Sequence, residues 1–241
     1  MPPKTDKRRP HADIIRHVQE RTPDGHVLLS FSGGKDAWAA WLGIRDHFDH
    51  DKIAPFYYYL VPGLEFVEEY LAYAEGVLGT HITRLPSPRF YDMLRELVFQ
   101  PPDRWPTIQR LGLPRYTWDE IHRATEASRG LPGNCWCAVG VRAADSPQRS
   151  LAMRTHGVVN DRRRVFYPIW DWNAEKLYAG LEHNGIRLPV DYELFGRTFD
   201  GVYLLYLYNI KKRFPRDFER ILEWFPLADI EIWRYERYGN V

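Results

Sequence analysis

Cysteine is scarce in this chain of 241 residues, which holds only Cys135 and Cys137. Two cysteines separated by one residue cannot build a disulfide framework, and a bridge between such near neighbours would be strained. A reducing, cytoplasmic setting is therefore the expectation.

Net charge and long apolar runs are also missing. The chain has 33 Lys+Arg against 32 Asp+Glu, a formal net charge of +1, so nucleic-acid binding would need a local basic patch. No window approaches the roughly 18 to 20 consecutive apolar residues of a membrane span, and residues 1–10 lack a signal-peptide core. We therefore expect no membrane partner. The hydrophobic fraction of 44% is enough for a real core at this length.

Apolar runs that favour strands alternate with amphipathic stretches. Residues 27–31 form a continuous apolar run that ends at glycines, which is typical of a strand buried in a parallel sheet. Residues 37–48 carry a helical stripe, and residues 53–60 form the next strand-like run. Strands separated by helices of this length predict a doubly wound, Rossmann-like α/β fold, a parallel sheet with helices on both faces. In such a sheet the ligand lies at the carboxyl ends of the strands.

The remaining elements follow from the same patterns. The sequence predicts a helix around Phe66 to Val77, a weak strand over 81–85, a helix over 91–99, strands over 135–141 and 165–169, and helices over 174–183, 201–212 and 215–225. We divide the chain into a flexible basic tail (1–12), a nucleotide-binding α/β domain (13–195) and a helical C-terminal extension (196–241). Within the α/β domain, 86–133 is a long excursion and a candidate substrate lid.

A glycine-rich run, SGGKDA over residues 32–37, follows the first predicted strand. Adjacent glycines allow a tight turn that brings backbone N–H groups close to an oxyanion, and the next helix adds its positive end. A phosphate is the expected ligand. The run is neither a Walker sequence nor the dinucleotide fingerprint. It resembles the SGGKDS signature of the PP-loop ATP pyrophosphatases, the adenine nucleotide α-hydrolase (HUP-type) superfamily, with Ala37 where that family usually has Ser or Thr.

A second segment, GVRAADSPQR over residues 140–149, resembles the G-[I/V]-R-x-x-[D/E]-S-x-x-R segment of the phosphoadenosine phosphosulfate (PAPS) reductase family. Two arginines suit a phosphate site, because guanidinium groups bind phosphate bidentately. Two further segments resemble motifs of the same family more weakly, and they occur in the same order and with similar spacing. The PGLEF turn at 62–66 is similar to the family's D-T-G-x-x-F-P-E-T turn, and YPI at 167–169 with Trp172 is similar to its Y-P-I-x-x-W run.

The resemblance implies an enzyme that binds ATP, or a PAPS-like adenine nucleotide, with Mg²⁺, and that cleaves the α–β phosphate bond. It would release pyrophosphate and adenylate an acceptor in sulfur transfer or nucleic-acid modification. The implied catalytic residues are Lys35, Asp36, Arg142 and Arg149, with Asp36 also a candidate Mg²⁺ ligand. The implied nucleotide-binding residues are Ser30, Ser32, Gly33, Gly34, Lys35, Asp36, Gly63, Gly140, Arg142, Asp145, Ser146 and Arg149. Adenine would stack near Leu29, Phe31 and the Gly63 turn. The acceptor is open, with nucleic acid a candidate, and a homodimer is also a candidate.

Alternative interpretations concern the cysteines. PAPS reductases carry a C-terminal E-C-G-L-H motif, but residues 229–241 contain no cysteine, so a reductase-like thiol enzyme would need Cys135 or Cys137. Two cysteines cannot supply the four ligands of an iron–sulfur cluster from one chain; a dimer could complete such a set. Metal binding with His122 or His156 is a further alternative, and buried strand thiols are the favoured interpretation.

A non-catalytic nucleotide-binding module also stays open, in which Ala37 reflects lost hydrolysis. The three arginines at 162–164 predict a solvated turn, or else a contact for an anionic substrate.

Overall fold

Twelve α-helices and six β-strands are present in the computed structural model, which describes residues 7–239. The strands are β1 (Val27–Ser30), β2 (Ile53–Tyr59), β3 (Thr83–Pro86), β4 (Trp136–Val139), β5 (Val159–Asn160) and β6 (Val165–Phe166). The helices are α1 (His11–Gln19), α2 (Lys35–Ile44), α3 (Glu65–Leu78), α4 (Pro88–Arg95), α5 (Trp105–Leu111), α6 (Trp118–Ser128), α7 (Pro147–His156), α8 (Ala174–His183), α9 (Asp191–Phe195), α10 (Leu204–Arg213), α11 (Pro215–Trp224) and α12 (Asp229–Tyr238). None of these helices combines the length and the apolar character that a membrane crossing requires.

The six strands form one sheet in the order β3-β2-β1-β4-β6-β5. β1 pairs in parallel with both β2 and β4, and β4 pairs in parallel with β6. The short edge strand β5 runs antiparallel to β6. Because the chain builds the sheet outward from β1 in one direction and then in the other, the strand order reverses between β1 and β4. The predicted doubly wound α/β fold is confirmed.

The chain divides into two compact units, each assembled from separate stretches of sequence. The first unit takes in residues up to 57, 74–83 and 122–188; the second takes in 58–73, 84–121 and the residues from 189 onward. In the first unit, Leu28, Cys137 and Phe166 on the central strands are completely buried. This is the burial expected of a parallel sheet that is covered on both faces.

The second unit has a core of its own, to which three stretches of sequence contribute. Its buried members are Leu60, Val61, Leu64, Phe66, Phe90, Phe199, Val202, Tyr206, Leu207, Ile210, Phe218, Ile221, Phe225, Ala228 and Ile232. The C-terminal helices α10, α11 and α12 therefore share one core with residues 60–66 and with Phe90 of α4.

The structure contains helices that the sequence analysis did not predict. α1 begins at His11, inside the stretch 1–12 predicted as a tail, because Ile14, Ile15 and Val18 bury one face of it. The rest of that tail prediction, residues 1–6, lies outside the described residues. α5 and α6 occupy much of the predicted excursion, and α7 and α12 were also missed. Their apolar residues are too few or too exposed to make a clear helical stripe.

The helix predicted over 91–99 starts and ends earlier than expected. Ser87 caps its N-terminus by accepting a hydrogen bond from the Arg89 N–H at 3.3 Å, with Pro88 in the first turn. This combination is a common start signal. The helix stops at Arg95, and Leu97 and Phe99 then adopt positive φ angles of 58° and 53°.

Candidate nucleotide-binding site

The loop after β1 turns sharply and leads directly into α2. The Phe31 N–H still donates to the Phe56 carbonyl at 2.9 Å, which extends the strand pairing by one residue. Gly33 then has φ +75°, in the left-handed region that favours glycine. Gly34 occupies the N-cap position of α2, and no side chain caps this end. The positive end of α2 is thus presented at the carboxyl end of β1, as an anion site requires.

The end of β4 touches the first turn of α2, backbone to backbone. Val139, the last residue of β4, is in register with Ser30 of β1. A Cβ added to the next residue, Gly140, would lie 2.1 Å from the Asp36 carbonyl oxygen and 3.0 Å from the Ala37 nitrogen. Only glycine permits this approach. The structure therefore gives Gly140 a packing role that the sequence analysis did not foresee.

Five charged side chains of alternating sign link the two segments. Arg142 Nε donates to Asp36 Oδ1 at 3.0 Å, and Arg142 Nη2 donates to Asp145 Oδ1 at 2.7 Å. Lys35 Nζ lies 2.6 Å from Asp36 Oδ2, and Arg149 Nη1 lies 2.6 Å from Asp145 Oδ2. Three cations and two carboxylates leave this group with a net charge of +1. The middle of this row of ion pairs is buried and one end is exposed to solvent, since the exposed fraction of the side chain is 7% for Arg142 and 52% for Arg149.

The residues after Arg142 are held by local capping contacts. Asp145 ends a short 3-10 turn, Ala143–Asp145, and its Oδ2 accepts from the Arg142 N–H at 3.2 Å. Ser146 caps α7, because its hydroxyl accepts from the Arg149 N–H at 3.2 Å. These contacts set the start of α7, which carries Arg149 in its first turn. Asp145 and Ser146 thus position two arginines.

Most of the predicted site residues meet at these two segments. The residues that the structure brings together in the first unit are Ser30, Ser32, Gly33, Gly34, Lys35, Asp36, Gly140, Arg142, Asp145, Ser146 and Arg149. The side chains of Leu29 and Phe31 are buried in the core, with exposed fractions of 0% and 1%. In this structure neither offers an open face on which adenine could stack.

Gly63 belongs to the second unit, where α11 holds its turn. Gly63 has φ +69°, and its carbonyl accepts from Arg220 Nη1 at 2.6 Å. On the same helix, the buried Asp217 accepts hydrogen bonds from the N–H groups of Glu65 at 2.5 Å and Phe66 at 3.2 Å. Asp217 thereby satisfies the start of α3. Sequence reasoning missed both α11 residues, because they are more than 150 positions away from the turn they support and no motif marks them.

The two thiols are placed differently: Cys135 lies just before β4, at the amino end of the strand, whereas Cys137 lies within β4, opposite Leu28, and its thiol contacts the Ser30 backbone. In the register of β4 with β1, Trp136 is opposite Val27, so Cys135 precedes the amino end of the strand. Four residues at about 3.3 Å each separate it from Val139 by roughly 13 Å. Burial raises the pKa of both Cys135 and Cys137 to about 12. Cys135 also lines a cavity of about 260 Å³ at this edge. Both thiols are neutral at physiological pH and are therefore poor nucleophiles.

Other candidates from the sequence are placed as follows. The His122 ring packs against Phe56 with ring centroids 5.6 Å apart. Among residues 7–239, no group of three His, Cys, Asp or Glu side chains could hold a metal ion. Arg162, Arg163 and Arg164 lie in the turn between β5 and β6, as predicted, and the first two are exposed.

Comparison with solved structures finds, among others, two proteins of similar extent but low identity. One is the NH3-dependent NAD synthetase from Campylobacter jejuni in complex with the nitrate ion, with 10% identity, a TM-score of 0.45 and coverage of 96% of this chain and 95% of that one. The other is the U34-tRNA thiolase NcsA from Methanococcus maripaludis with its [4Fe-4S] cluster, with 12% identity, a TM-score of 0.43 and coverage of 91% and 80%. No family model and no curated protein matches the chain. Similarities of this size do not transfer an activity to this chain.

Proposed function

We propose that this chain is an ATP-binding enzyme of the PP-loop kind, which cleaves the α–β phosphate bond of MgATP and transfers AMP to an acceptor. An acceptor oxygen attacks the α-phosphorus, the bond from that phosphorus to the bridging oxygen breaks, and pyrophosphate leaves with the bonding electrons. AMP stays attached to the acceptor, whose oxygen becomes a good leaving group for a later sulfur or nitrogen nucleophile. Chemistry of this type depends mainly on positioning and charge stabilisation.

The observation that carries this proposal is the location of the two motifs. The run 32–37 follows β1 and the run 140–149 follows β4, and β1 and β4 are the adjacent strands between which the strand order reverses. In open α/β sheets, ligands bind in the crevice at this point, beyond the carboxyl ends of the strands. A glycine turn, an uncapped helix N-terminus and three cations at that crevice suit a polyphosphate.

The contacts suggest different roles for the charged residues. We assign Ser32, Gly33 and Gly34 to the phosphate cradle. Lys35 and Arg149 stand at the two ends of the chain of ion pairs, and each has a single carboxylate partner among the ion pairs described above. They can exchange that partner for a phosphate oxygen, which makes them our candidates for neutralising charge on the pyrophosphate.

Arg142 is the central link in the group. It is the most buried of the five side chains and contacts two carboxylates, Asp36 and Asp145. From this position Arg142 can hold the loop after β1 against the segment after β4. We assign it this positioning role in addition to a contact with the phosphates.

Magnesium fits this site only as part of the substrate. Mg²⁺ is usually bound by one or two carboxylates together with substrate phosphates and water. Both oxygens of Asp36 already lie within 3.0 Å of a cationic side chain, so this carboxylate does not fit a resident Mg²⁺ site as it stands. We therefore treat the ion as a component of MgATP and assign Asp36 to ordering the loop.

The resemblance of residues 140–149 to the PAPS reductase family also suggests which process the enzyme serves. We propose sulfur transfer or nucleic-acid modification as the process served, with ATP or a PAPS-like nucleotide as substrate. The raised pKa values of Cys135 and Cys137, the complete burial of Cys137 and the distance of Cys135 from the loop disfavour the alternative of a thiol-dependent reductase. The non-catalytic module differs from our proposal only in lacking cleavage.

Direct binding of MgATP tests the site without requiring the acceptor. Isothermal titration should show that Lys35→Ala and Arg149→Ala each weaken binding about tenfold or more, as charged hydrogen bonds of about 1.5 to 3 kcal/mol are lost. Two variants serve as matched controls: Lys176→Ala removes an exposed lysine of α8, and Arg154→Ala removes an exposed arginine from the same helix as Arg149. Equal binding by all four variants and the unmodified protein would refute the site.

Pyrophosphate release then separates the enzyme from the binding module. The unmodified protein should release pyrophosphate and AMP from MgATP, at least slowly with water as acceptor, and Lys35→Ala should not. Tight MgATP binding without release, also in the presence of single-stranded nucleic acid or free thiols, would favour the non-catalytic module.

A further inference from the structure

A long surface segment of the second unit has no core of its own. Every residue from 102 to 120 is at least partly exposed, and α5 contains no buried residue. The segment nevertheless carries large apolar side chains. Their exposed fractions are 42% for Trp105, 65% for Leu111, 43% for Tyr116 and 44% for Trp118. Exposed apolar residues scattered singly are ordinary, but a concentration of this kind marks an interaction surface.

Residues 102–118 of this segment are positively charged, and Asp119 and Glu120 then follow at its C-terminal end. Between residues 102 and 118 it contains Arg104, Arg110 and Arg115 against a single acid, Asp103. Arg104 Nη1 donates to the Glu223 carbonyl at 2.9 Å, and Arg110 Nη2 donates to the Thr107 hydroxyl at 3.3 Å. Within the described range 7–239, no carboxylate forms an ion pair with any of the three arginines. Their charges are therefore available to an anionic partner.

Two aromatic side chains of the segment, Tyr116 and Trp118, pack against other rings. Tyr116 packs edge-on against Tyr91 with ring centroids 5.2 Å apart, and Trp118 packs against Tyr58 at 5.2 Å. Tyr58 lies near the carboxyl end of β2. These contacts hold one side of each ring and leave the rest in solvent. Rings fixed in this way can stack with a planar partner at little cost in side-chain entropy.

We propose that residues 102–118, the aromatic–arginine segment, bind single-stranded nucleic acid. Bases stack on Trp105, Tyr116 and Trp118, while the phosphates between them pair with the arginines. Aromatic side chains interleaved with uncompensated arginines are the usual means by which proteins hold a single strand. A second copy of this chain fits less well, because a symmetric contact through this segment would bring six arginines together. The segment belongs to the second unit and shares no residue with the loop after β1, so this proposal does not require ATP cleavage.

Fluorescence anisotropy with the full chain tests the proposal, using labelled oligo-dT and oligo-U of about 20 nucleotides, longer than the site of one small binding domain. Binding should be tight at low salt and should weaken steeply as salt is raised. Trp105→Ala and Trp118→Ala should each weaken it about fivefold or more, the loss expected for one stacked base. Arg115→Gln should reduce the slope of log affinity against log salt by about 0.7, one phosphate contact on a single strand.

Two exposed residues elsewhere provide matched controls. Tyr178→Ala removes an aromatic side chain of α8 that is 49% exposed, and Arg216→Gln removes an exposed arginine of α11; neither should change binding. Trp105 is 42% exposed, and its Nε1 donates to the Gln100 carbonyl at 2.8 Å, so Trp105→Ala should lower the unfolding temperature by only a few degrees and leave the protein folded in the binding assay.

Three results would overturn the proposal. One is no binding to either oligonucleotide at low salt, and another is equal weakening by the control variants. The third is a dimer in solution that Trp105→Ala converts to monomer with no change in oligonucleotide affinity, which would make the segment a self-association surface. None of these results depends on the MgATP titration, so a failure here is distinguishable from a failure of the phosphate site.

Discussion

Gly140 and Asp36 are in backbone contact, and this contact joins the two segments of the proposed phosphate site. The ideal Cβ position of residue 140 lies 2.1 Å from the Asp36 carbonyl oxygen and 2.5 Å from its carbonyl carbon. Real Cβ atoms do not approach backbone atoms this closely. The end of β4 and the first turn of α2 can therefore meet only because residue 140 has no side chain.

Replacing Gly140 should separate these two segments. For Gly140→Ala we expect a loss of about 3 kcal/mol or more in the free energy of unfolding, because overpacking against rigid backbone is costly. MgATP affinity should fall together with stability. Urea unfolding and titration on the same preparation measure both quantities.

Gly76→Ala is the control for that experiment. Gly76 lies in α3 and has nothing within 4 Å of its ideal Cβ. Alanine is favoured over glycine inside a helix by about 1 kcal/mol, so this variant should be slightly more stable than the unmodified protein. A Gly140→Ala protein as stable as Gly76→Ala would show that the contact with Asp36 is not needed.

The two arginines of the second motif should differ sharply in their effect on stability. Arg142 is buried between two carboxylates, so Arg142→Ala should lower the free energy of unfolding by roughly 3 kcal/mol, near the lower end for a broken buried pair. Arg149 is 52% exposed, so Arg149→Ala should cost less than about 1 kcal/mol. Both should weaken MgATP binding. Equal losses of stability in urea unfolding would contradict the positioning role of Arg142.

Asp191 should make the protein less stable as pH rises through the weakly acidic range. Burial raises the pKa of this carboxyl from 3.8 to about 6. Between these values the unfolded chain has lost the proton while the folded protein retains it, so stability falls with increasing pH. A difference of two pKa units limits the effect to about 3 kcal/mol.

Asp191→Asn should flatten this part of the pH profile, since the amide oxygen can still accept the hydrogen bond that the Phe199 N–H donates at 2.7 Å. Asp46→Asn, at a side chain that is 77% exposed, should leave the profile unchanged. The measurement is the free energy of unfolding in urea from pH 4 to pH 7. A slope that persists in Asp191→Asn belongs to other groups.

The thiols should be inert in the folded protein. With the pKa of Cys135 and Cys137 near 12, only about one thiol in ten thousand is ionised at pH 8. Iodoacetamide should therefore modify both cysteines in urea and neither under native conditions. The variant with Cys135→Ser and Cys137→Ala should retain MgATP binding and pyrophosphate release. Loss of release in this variant, with binding intact, would revive the thiol-dependent alternative.

Much of the sheet could be predicted from local pattern, and the helices only in part. The run 27–31 is a strand in the structure as Val27–Ser30, and the run 53–60 is Ile53–Tyr59. A short, continuous apolar run between glycines or turns is most readily buried as a central strand of a sheet. By contrast, α5 contains no buried residue, so it lacks the buried apolar face whose periodicity predicts a helix.

The sequence by itself determined that a doubly wound sheet would form and that a glycine turn would follow its first strand, because strand burial and turn chemistry are local properties. It also supplied the charged residues of the site. Only the tertiary structure decided which of them meet. Asp36 and Arg142 are 106 positions apart, and Asp217 and Glu65 are 152 apart. Such contacts depend on how strands and helices are brought together, and no spacing within either segment encodes them.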